Sequence, residues 1–295
     1  MNVEMINEHG FADLHVHTTA SDGVDTLSER CARAREVDLP IFAVTDHDCV
    51  HPAFSKPIMK RDHCAVINGA EIRAGVAGHE IEILGLFLDP TSSELQDVLG
   101  RVQQHRINRN QTIVSALRTH AGLEATYEML IHRVDGVLTR PHLAEQLERE
   151  GIVESHDEAF QQYLQSGVKT HEPLKLVACE TVISAIHAAG GVASLAHPGY
   201  FQPPTSEHTF DSLASLIQRL KTAGLDAIEV TYEYGASGFS PPRATTLANK
   251  TDLLQTGGSD CHGVDTSITS IGDVRVSRSQ FRRLYERSDT TIRPH

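Results

Sequence analysis

The sequence predicts an α/β protein in which strands alternate with helices around a barrel or near-barrel. Two observations carry this. Short apolar runs recur along the chain, each stopping at polar residues and followed by a segment of helical period. At least six such units occupy roughly 200 residues, the span of a β/α barrel whose parallel strands are joined by right-handed crossovers. A length of 295 residues allows one large domain, or a domain with an insertion.

The elements follow in order. "FADLHVH" reads as the first strand, and "TLSERCARAREV" as a helix opened by a Thr26/Glu29 capping box and closed before Pro40. "IFAV" is a strand that runs straight into "TDHD"; "CAVI" leads to "NGAE"; "IEILGLFL" is a longer strand. "ACETVISAIHAAGG" is a helix that stops at a glycine pair, ahead of the strand "VASLA" and then "HPG". "FDSLASLIQRLKTAG" is a helix, "LDAIEV" a strand, "RATTLANKT" a helix, and "DLLQT" a strand that enters "GGSDCH". "SRSQFRRLYERSDTTIRPH" reads as a terminal helix with a frayed end. Between about Thr91 and Gly167 strand signal is lacking, and some seventy strand-free residues are too many for one crossover. Residues 92–171 are therefore read as a helical insertion over the barrel mouth, and 10–91 with 172–295 as the barrel.

Composition narrows the function classes. A hydrophobic content of 40% with 22% charged residues is ordinary for a globular protein. A net charge of −13 argues against a broad electrostatic grip on long nucleic acid or on an anionic membrane. The five cysteines (Cys31, Cys49, Cys64, Cys179, Cys261) are odd in number and show no CxxC spacing. That implies neither a disulfide frame nor a thiolate zinc knuckle, and fits a reduced, cytoplasmic setting. No stretch has the length needed to span a membrane, and "MNVEMINEHG" lacks the features of a secretory signal.

The chemistry collects where the strands stop. His15 and His17 leave one face of their strand, because side chains alternate. In a β/α barrel the C-terminal strand ends converge. Here those ends carry His15/His17, Asp46/His47, Glu71, His197 and Asp260/His262, with Asp22 shortly after the first. Each has an ordinary explanation alone: turn chemistry for Asp22-Gly23, helix caps for Asp46 and Asp48, a solvated charge for Glu71, a rigid turn for His197 before Pro198. Together they form a mixed nitrogen and oxygen donor set, which divalent transition metals take. About nine donors exceed the four to six of one ion, so two or three ions are expected. Carboxylates without thiolates favour manganese, with iron or zinc as alternatives, in a catalytic role.

These residues carry a family resemblance. "DLHVHTTASDG", "AVTDHD", "NGAEI", "LAHPG" and "GGSDCH" resemble the ordered motifs of the PHP (polymerase and histidinol phosphatase) superfamily, from residue 12 to about 263. "ASDG", "ILGLFLDP", "TRPHLAEQL" and "AHPGYF" are most similar to its stand-alone phosphoesterase branch, which includes nucleoside 3′,5′-bisphosphate phosphatases and 5′-to-3′ exoribonucleases. The resemblance implies a distorted (β/α)7 barrel with a helical insertion. It implies that His15, His17, Glu71 and Asp260 hold one metal, that Glu71 bridges to a second held also by His197, and that Asp22, His47 and His262 hold a third. Relatives usually carry a histidine where this chain has Glu82. Glu82 can ligate through oxygen; His79 is the alternative, although its odd spacing places it on the other strand face; failing both, the second position is weak or empty.

The resemblance also places "TRPH" over the metals. Arg140 would clamp phosphate through paired hydrogen bonds, with His142 beside it as a candidate acid, and Lys169 and His171 as weaker candidates of the same kind. The expected activity is hydrolysis of a phosphomonoester on a small nucleotide, foremost the 3′-phosphate of a nucleoside 3′,5′-bisphosphate, with trimming of short RNA 5′ ends second. The rivals are a histidinol-phosphate phosphatase, an amidohydrolase and a non-catalytic metal-binding PHP module. Glu71 and the "SDCH" ending argue against the amidohydrolase.

Overall fold

Strand β1 (Ala12–Val16) is buried at all five positions, as a strand covered on both faces must be. The structure, a computed structural model, describes residues 10–61, 63–134, 136–165, 175–200, 213–233, 240–263 and 269–288. Helix α1 (Leu27–Glu36) starts at Thr26, and Thr26 and Glu29 cap one another as the sequence suggests. Strand β2 (Ile41–Val44) pairs in parallel with β1 and with β4 (Ala65–Val76). A short β3 (Ile58–Lys60), which the sequence pattern did not announce, pairs antiparallel with β4. Then β5 (His79–Leu86), β6 (Val192–Leu195), β7 (Ala227–Thr231) and β8 (Leu254–Gly257) complete the path β1-β2-β4-β5-β6-β7-β8. Its two ends meet, with the His17 N–H donating to the Cys261 carbonyl at 3.1 Å and the Asp260 N–H to the His15 carbonyl at 2.8 Å. This seven-stranded path is the distorted barrel expected.

Two local expectations need correction. The strands are not all parallel, since β5 runs antiparallel to both β4 and β6. The reason is the link Ala77-Gly78, where φ is 47° and 85°. A two-residue turn in the left-handed region makes a hairpin and cannot supply a parallel crossover. Nor is Glu71 at a strand end: β4 runs past it to Val76. The exit of β2 lies level with it, through a bridge between His47 and Glu71. Glu71 therefore enters the mouth from mid-strand.

Between β5 and β6 lie α2 (Ser93–His120), α3 (Tyr127–Ile131), α4 (Arg140–Arg149) and α5 (His156–Ala159), the last running into a π-helical turn, Phe160–Leu164. The first half of α2 packs Leu95, Val98, Leu99 and Val102 into the cluster that holds Ile72 and Ile83. Its second half contributes Ile113, Val114 and Leu117 to a separate cluster with Leu130, Leu143, Leu147 and Leu164. Helices α6 (Cys179–Ala188), α7 (Leu213–Thr222) and α8 (Pro241–Thr251) pack into the first cluster, and Phe281 and Leu284 of α9 (Arg278–Arg287) pack with Phe11, Leu14 and Phe87. Among the described residues no helix is long and apolar enough to cross a membrane.

Gly258 is where the path closes tightest. A Cβ there would lie 2.4 Å from the His15 main-chain nitrogen, well inside van der Waals contact. Gly258→Ala is expected to lower the melting temperature clearly. Gly100→Ala in α2, where nothing lies within 4 Å, is expected to be neutral or stabilising by up to about 1 kcal/mol. Thermal unfolding of the two variants beside the parent checks the contrast.

Candidate metal centre

The strand ends bring nine side chains into one space. His15 and His17 are fully buried and Glu71 is nearly so. One group comprises His15, His17, Glu71 and Asp260, another His17, Asp22, His47 and His262, and a third His47, Glu71 and Glu82; within each group, ligand atoms lie within 4.8 Å of one another. His197 joins the third, its Nε2 lying 2.8 Å from Glu71 and 3.3 Å from Glu82. Backbone is strained here: Asp48, His197 and Asp260 have φ of 53°, 25° and 52°. Such conformations persist when the surroundings impose them, and they gather at functional sites.

The histidines are oriented by what their outer nitrogens hold. His15 Nδ1 lies 3.2 Å from Glu229 Oε1, so it carries the proton and donates. His17 Nδ1 lies 3.4 Å from Ser21 Oγ, whose own proton goes to Asp46 at 2.6 Å, so His17 also donates. His262 Nδ1 lies 2.9 Å from the Asp260 carbonyl, which can only accept. In all three rings Nε2 is left facing the cluster: His15 Nε2 is 3.3 Å and His17 Nε2 3.1 Å from Asp260, and His262 Nε2 3.3 Å from Asp22. Fixing a ligating imidazole through its other nitrogen is a common device of metal sites.

The electrostatics fit a cation. Burial opposes charge on His17, but Asp260 and Glu71 outweigh it and push its pKa up to about 10. His15 and His197 are likewise raised well above the ordinary value against the effect of burial, His15 by Asp260 and Glu71, His197 by Glu71 and Glu82. Burial drives Glu82 up, as does Glu71, yet Arg73 and His197 bring it down to about 2. Burial, with His17 adding to it, lowers His47 below its usual value, while Asp22 and Glu71 oppose. Apart from His47, these signs report a space that demands positive charge. In addition, His15 Nε2, His17 Nε2, Asp22 Oδ1, His47 Nδ1 and Asp260 Oδ1 are buried without a properly directed hydrogen bond. Buried polar atoms rarely go unsatisfied, and a divalent ion coordinates such atoms.

At the departure from the usual pattern, Glu82 and not His79 is in the cluster. On β4 and β5, Glu71, Arg73 and Glu82 share a face, with Arg73 opposite Glu82 and its Nε donating to Glu82 Oε1 at 2.9 Å. His79 pairs with Val76 at the turn. Asp46 and Asp48 cap no helix. Asp46 accepts from the Thr18 N–H at 2.8 Å and from Ser21, shaping the loop that carries Asp22. Asp48 accepts from Arg106 Nε at 2.8 Å and from the Arg73 N–H at 2.9 Å.

Arg140 and His142 open α4. His142 Nδ1 accepts from the Thr139 N–H at 3.1 Å, so in the neutral ring Nε2 bears the proton. Burial lowers its pKa, and Arg106 adds to that. Arg140 rests over Phe160, 5.8 Å from the ring centroid. Lys169 and His171 lie outside the described residues.

The sequence reading missed Glu229, Asp13 and Arg109. Glu229 is fully buried and also accepts from the His197 N–H at 2.7 Å. Asp13, pushed up to about 6 by burial, accepts from Ser259 Oγ at 2.6 Å, beside Asp260. Both are charges inside apolar strands, and that was the available signal. Arg109 is 4% exposed. It sits three residues after Arg106, on the α2 face that also buries Val102 and Ile113.

A barrel mouth that gathers imidazoles and carboxylates in this way is built for divalent metal ions, and the relatives of this chain make it a metal-dependent hydrolase of phosphate esters. The chain belongs to the PHP domain family, whose model matches residues 13–171. It is similar to the 5′-3′ exoribonuclease of Haemophilus influenzae, 31% identical over 251 residues, covering 85% of this chain and 89% of that protein. It is also similar to the 3′,5′-nucleoside bisphosphate phosphatase of Chromobacterium violaceum, 29% identical over 268 residues, covering 88% and 90%. The fold matches the crystal structure of a putative metal-dependent phosphoesterase from Bifidobacterium adolescentis, with a TM-score of 0.79 at 24% identity over 96% of this chain and 99% of that one.

Two measurements check the centre. Since His15, His17 and His197 hold protons above the ordinary histidine pKa, cation binding must expel protons, and acid must weaken it. Manganese affinity is expected to rise steadily from pH 6 to pH 9, with proton release visible by calorimetry in buffers of different ionisation enthalpy; binding independent of pH would contradict this. Glu229→Gln is expected to weaken manganese binding about 10–100-fold, read by titration.

Proposed function

We propose that this chain hydrolyses a phosphate ester of a small nucleotide, foremost the 3′-phosphate of a nucleoside 3′,5′-bisphosphate. The observation that carries this is a zone of guanidinium charge beside the cluster. Burial pushes Arg109 down to about 10, with Arg140 and then Arg73 adding to the effect. Arg140 is lowered by burial and by Arg73, while Glu80 and Glu82 oppose. Like charges held together in partly buried positions are relieved by an anion. Arginine, with its planar fork of donors, is suited to phosphate. A cavity of about 520 Å³, lined in part by Ser21, Leu130, Arg133, His142, Glu145 and Arg149, gives room for a nucleoside. Residues 92–171 would then be the insertion that carries Arg109, Arg140 and His142 to the barrel mouth.

In this reading His15, His17, Glu71 and Asp260 hold one ion, Glu71, Glu82 and His197 a second, and Asp22, His47 and His262 a third. Divalent ions there supply neutralisation of the phosphoryl oxygens and a water acidic enough to attack at neutral pH, and manganese is the first choice. Arg140 binds two phosphoryl oxygens, and Arg109 stabilises the charge from α2. His142, neutral with its proton on Nε2, donates a hydrogen bond; burial disfavours its protonated form, so the leaving oxygen takes its proton from water.

A second reading has support in the similarity to an exoribonuclease. A site that holds a 5′-phosphate and hydrolyses on the 3′ side of the same nucleotide serves a bisphosphate and a short RNA 5′ end alike. The net charge of −13 favours the smaller anion.

The test is turnover with manganese of adenosine 3′,5′-bisphosphate, beside histidinol phosphate and a generic phosphomonoester, each read as released phosphate, and of a 5′-phosphorylated short RNA, read as released nucleoside 5′-monophosphate. Release from the bisphosphate should leave the 5′-monophosphate and vanish in His17→Ala. Arg140→Ala should lower kcat/KM about 100-fold at an unchanged melting temperature. Faster turnover of the RNA would promote the second reading. Inertness of manganese-loaded protein toward all four would leave a non-catalytic binding module.

A further inference from the structure

The strand path has a seam. Between β1 and the residues after β8 there is no continuous ladder among the described residues; an isolated bridge joins Val16 to Cys261 at the mouth, with two main-chain hydrogen bonds beside it, and another joins Ala12 to Val276 at the far end of the strand. Two of the three groups straddle this seam. His15 and His17 face Asp260 across it, and His17 and Asp22 face His262. Glu71 is shared: its Oε2 faces His15 and His17, while its Oε1 faces His197, and with Glu82 and His197 it stands away from the seam, on β4, on β5 and just past β6.

Arg30 bridges the seam. Helix α1 turns Leu27, Arg30 and Ala34 inward, and Arg30 has no exposed surface. Its Nε donates to the His17 carbonyl at 2.9 Å, on one side. Its Nη2 donates to the Cys261 carbonyl at 3.1 Å, on the other, and its Nη1 lies 3.0 Å from Cys261 Sγ. Asp25, 3.1 Å from Nη1, balances the charge. A charged residue is almost never buried completely without specific partners, and here the partners are the main chain of His17 and the residue between Asp260 and His262. The planar fork fixes the spacing of the carbonyls it joins; an ammonium has one nitrogen on a flexible stem and cannot hold both in register.

We propose that Arg30 is a positioning residue: it sets the spacing across the seam, and so the cation affinity of the two groups that straddle it, while the Glu71/Glu82/His197 group is independent of it. This rests on the reading of the cluster as a metal centre.

The experiment is a manganese titration of the parent, Arg30→Lys and Arg30→Met, followed by calorimetry and by the spectrum of free manganese, with melting temperatures recorded. Should Arg30→Met not fold, Arg30→Lys keeps the charge and most of the stem. Leu216→Ala, in the apolar cluster remote from the seam, serves as a control for loss of stability alone. In both Arg30 variants the seam positions should weaken about 10–100-fold while one equivalent still binds with parental affinity. Adding Glu82→Gln to Arg30→Lys should remove that remaining equivalent. The control should melt lower and still bind the full complement. Parental affinity at every position in Arg30→Lys and Arg30→Met, or an equal loss at all positions, would overturn the proposal. A parent that binds no manganese would instead overturn the metal-centre reading on which it rests.

Discussion

Five imidazoles and four carboxylates occupy one largely buried space where the strands of this chain come together. Removing that many ionisable groups from water is costly unless each is matched by charge and hydrogen bonds. The surrounding structure answers this in one consistent way. Outer nitrogens of the rings are tied to fixed acceptors, Glu229 for His15, Ser21 for His17 and the Asp260 carbonyl for His262. The inner nitrogens and the carboxylate oxygens are left converging. Asp46 holds the loop that carries Ser21 and Asp22, and Asp13 holds Ser259 next to Asp260. The polar residues buried around the mouth are thus mostly accounted for by a single requirement, a rigid site with its ligand atoms turned inward.

Much of that site could be read from the sequence because its residues interrupt apolar runs. A strand such as "ADLHV" makes its histidine conspicuous, and "TDHD", "AHPG" and "GGSDCH" each break off where a strand stops. Convergence of those ends follows from the alternation of strand and helix. What could not be read has physical reasons too. The antiparallel β5 depends on a two-residue turn in which alanine takes a left-handed φ of 47°, and alanine gives no sign of this. Glu71 was sought at a strand end because apolar residues precede it, yet β4 continues for five residues beyond it, carried by its pairing with β5. Glu229 looked like an ordinary strand charge; only the fold puts it beside His15. On α2, Arg106 and Arg109 follow the period of the apolar residues around them, so the pattern that marks the helix also hides the charge on its inner face.

Helix α2 connects the halves of the chemistry. Its first turns pack on the barrel, and its next ones bring Arg106 to Asp48, beside His47, with Arg109 buried three residues further on. Arg106 is bound to Asp48, and Gln103 donates to the Asp48 carbonyl at 2.9 Å. Asp48 follows His47 directly and accepts from the Arg73 N–H, while the Arg73 side chain holds Glu82. Glu82, Arg73, Asp48 and Arg106 therefore form one continuous polar chain from the cluster to the helix. Movement of α2 away from the barrel would disturb His47 and Glu82 as well as the guanidinium zone, because the same hydrogen bonds hold both. An anion bound at Arg109 and Arg140 and cations bound at the cluster would each stabilise this docked arrangement. By linkage, each would then favour the binding of the other.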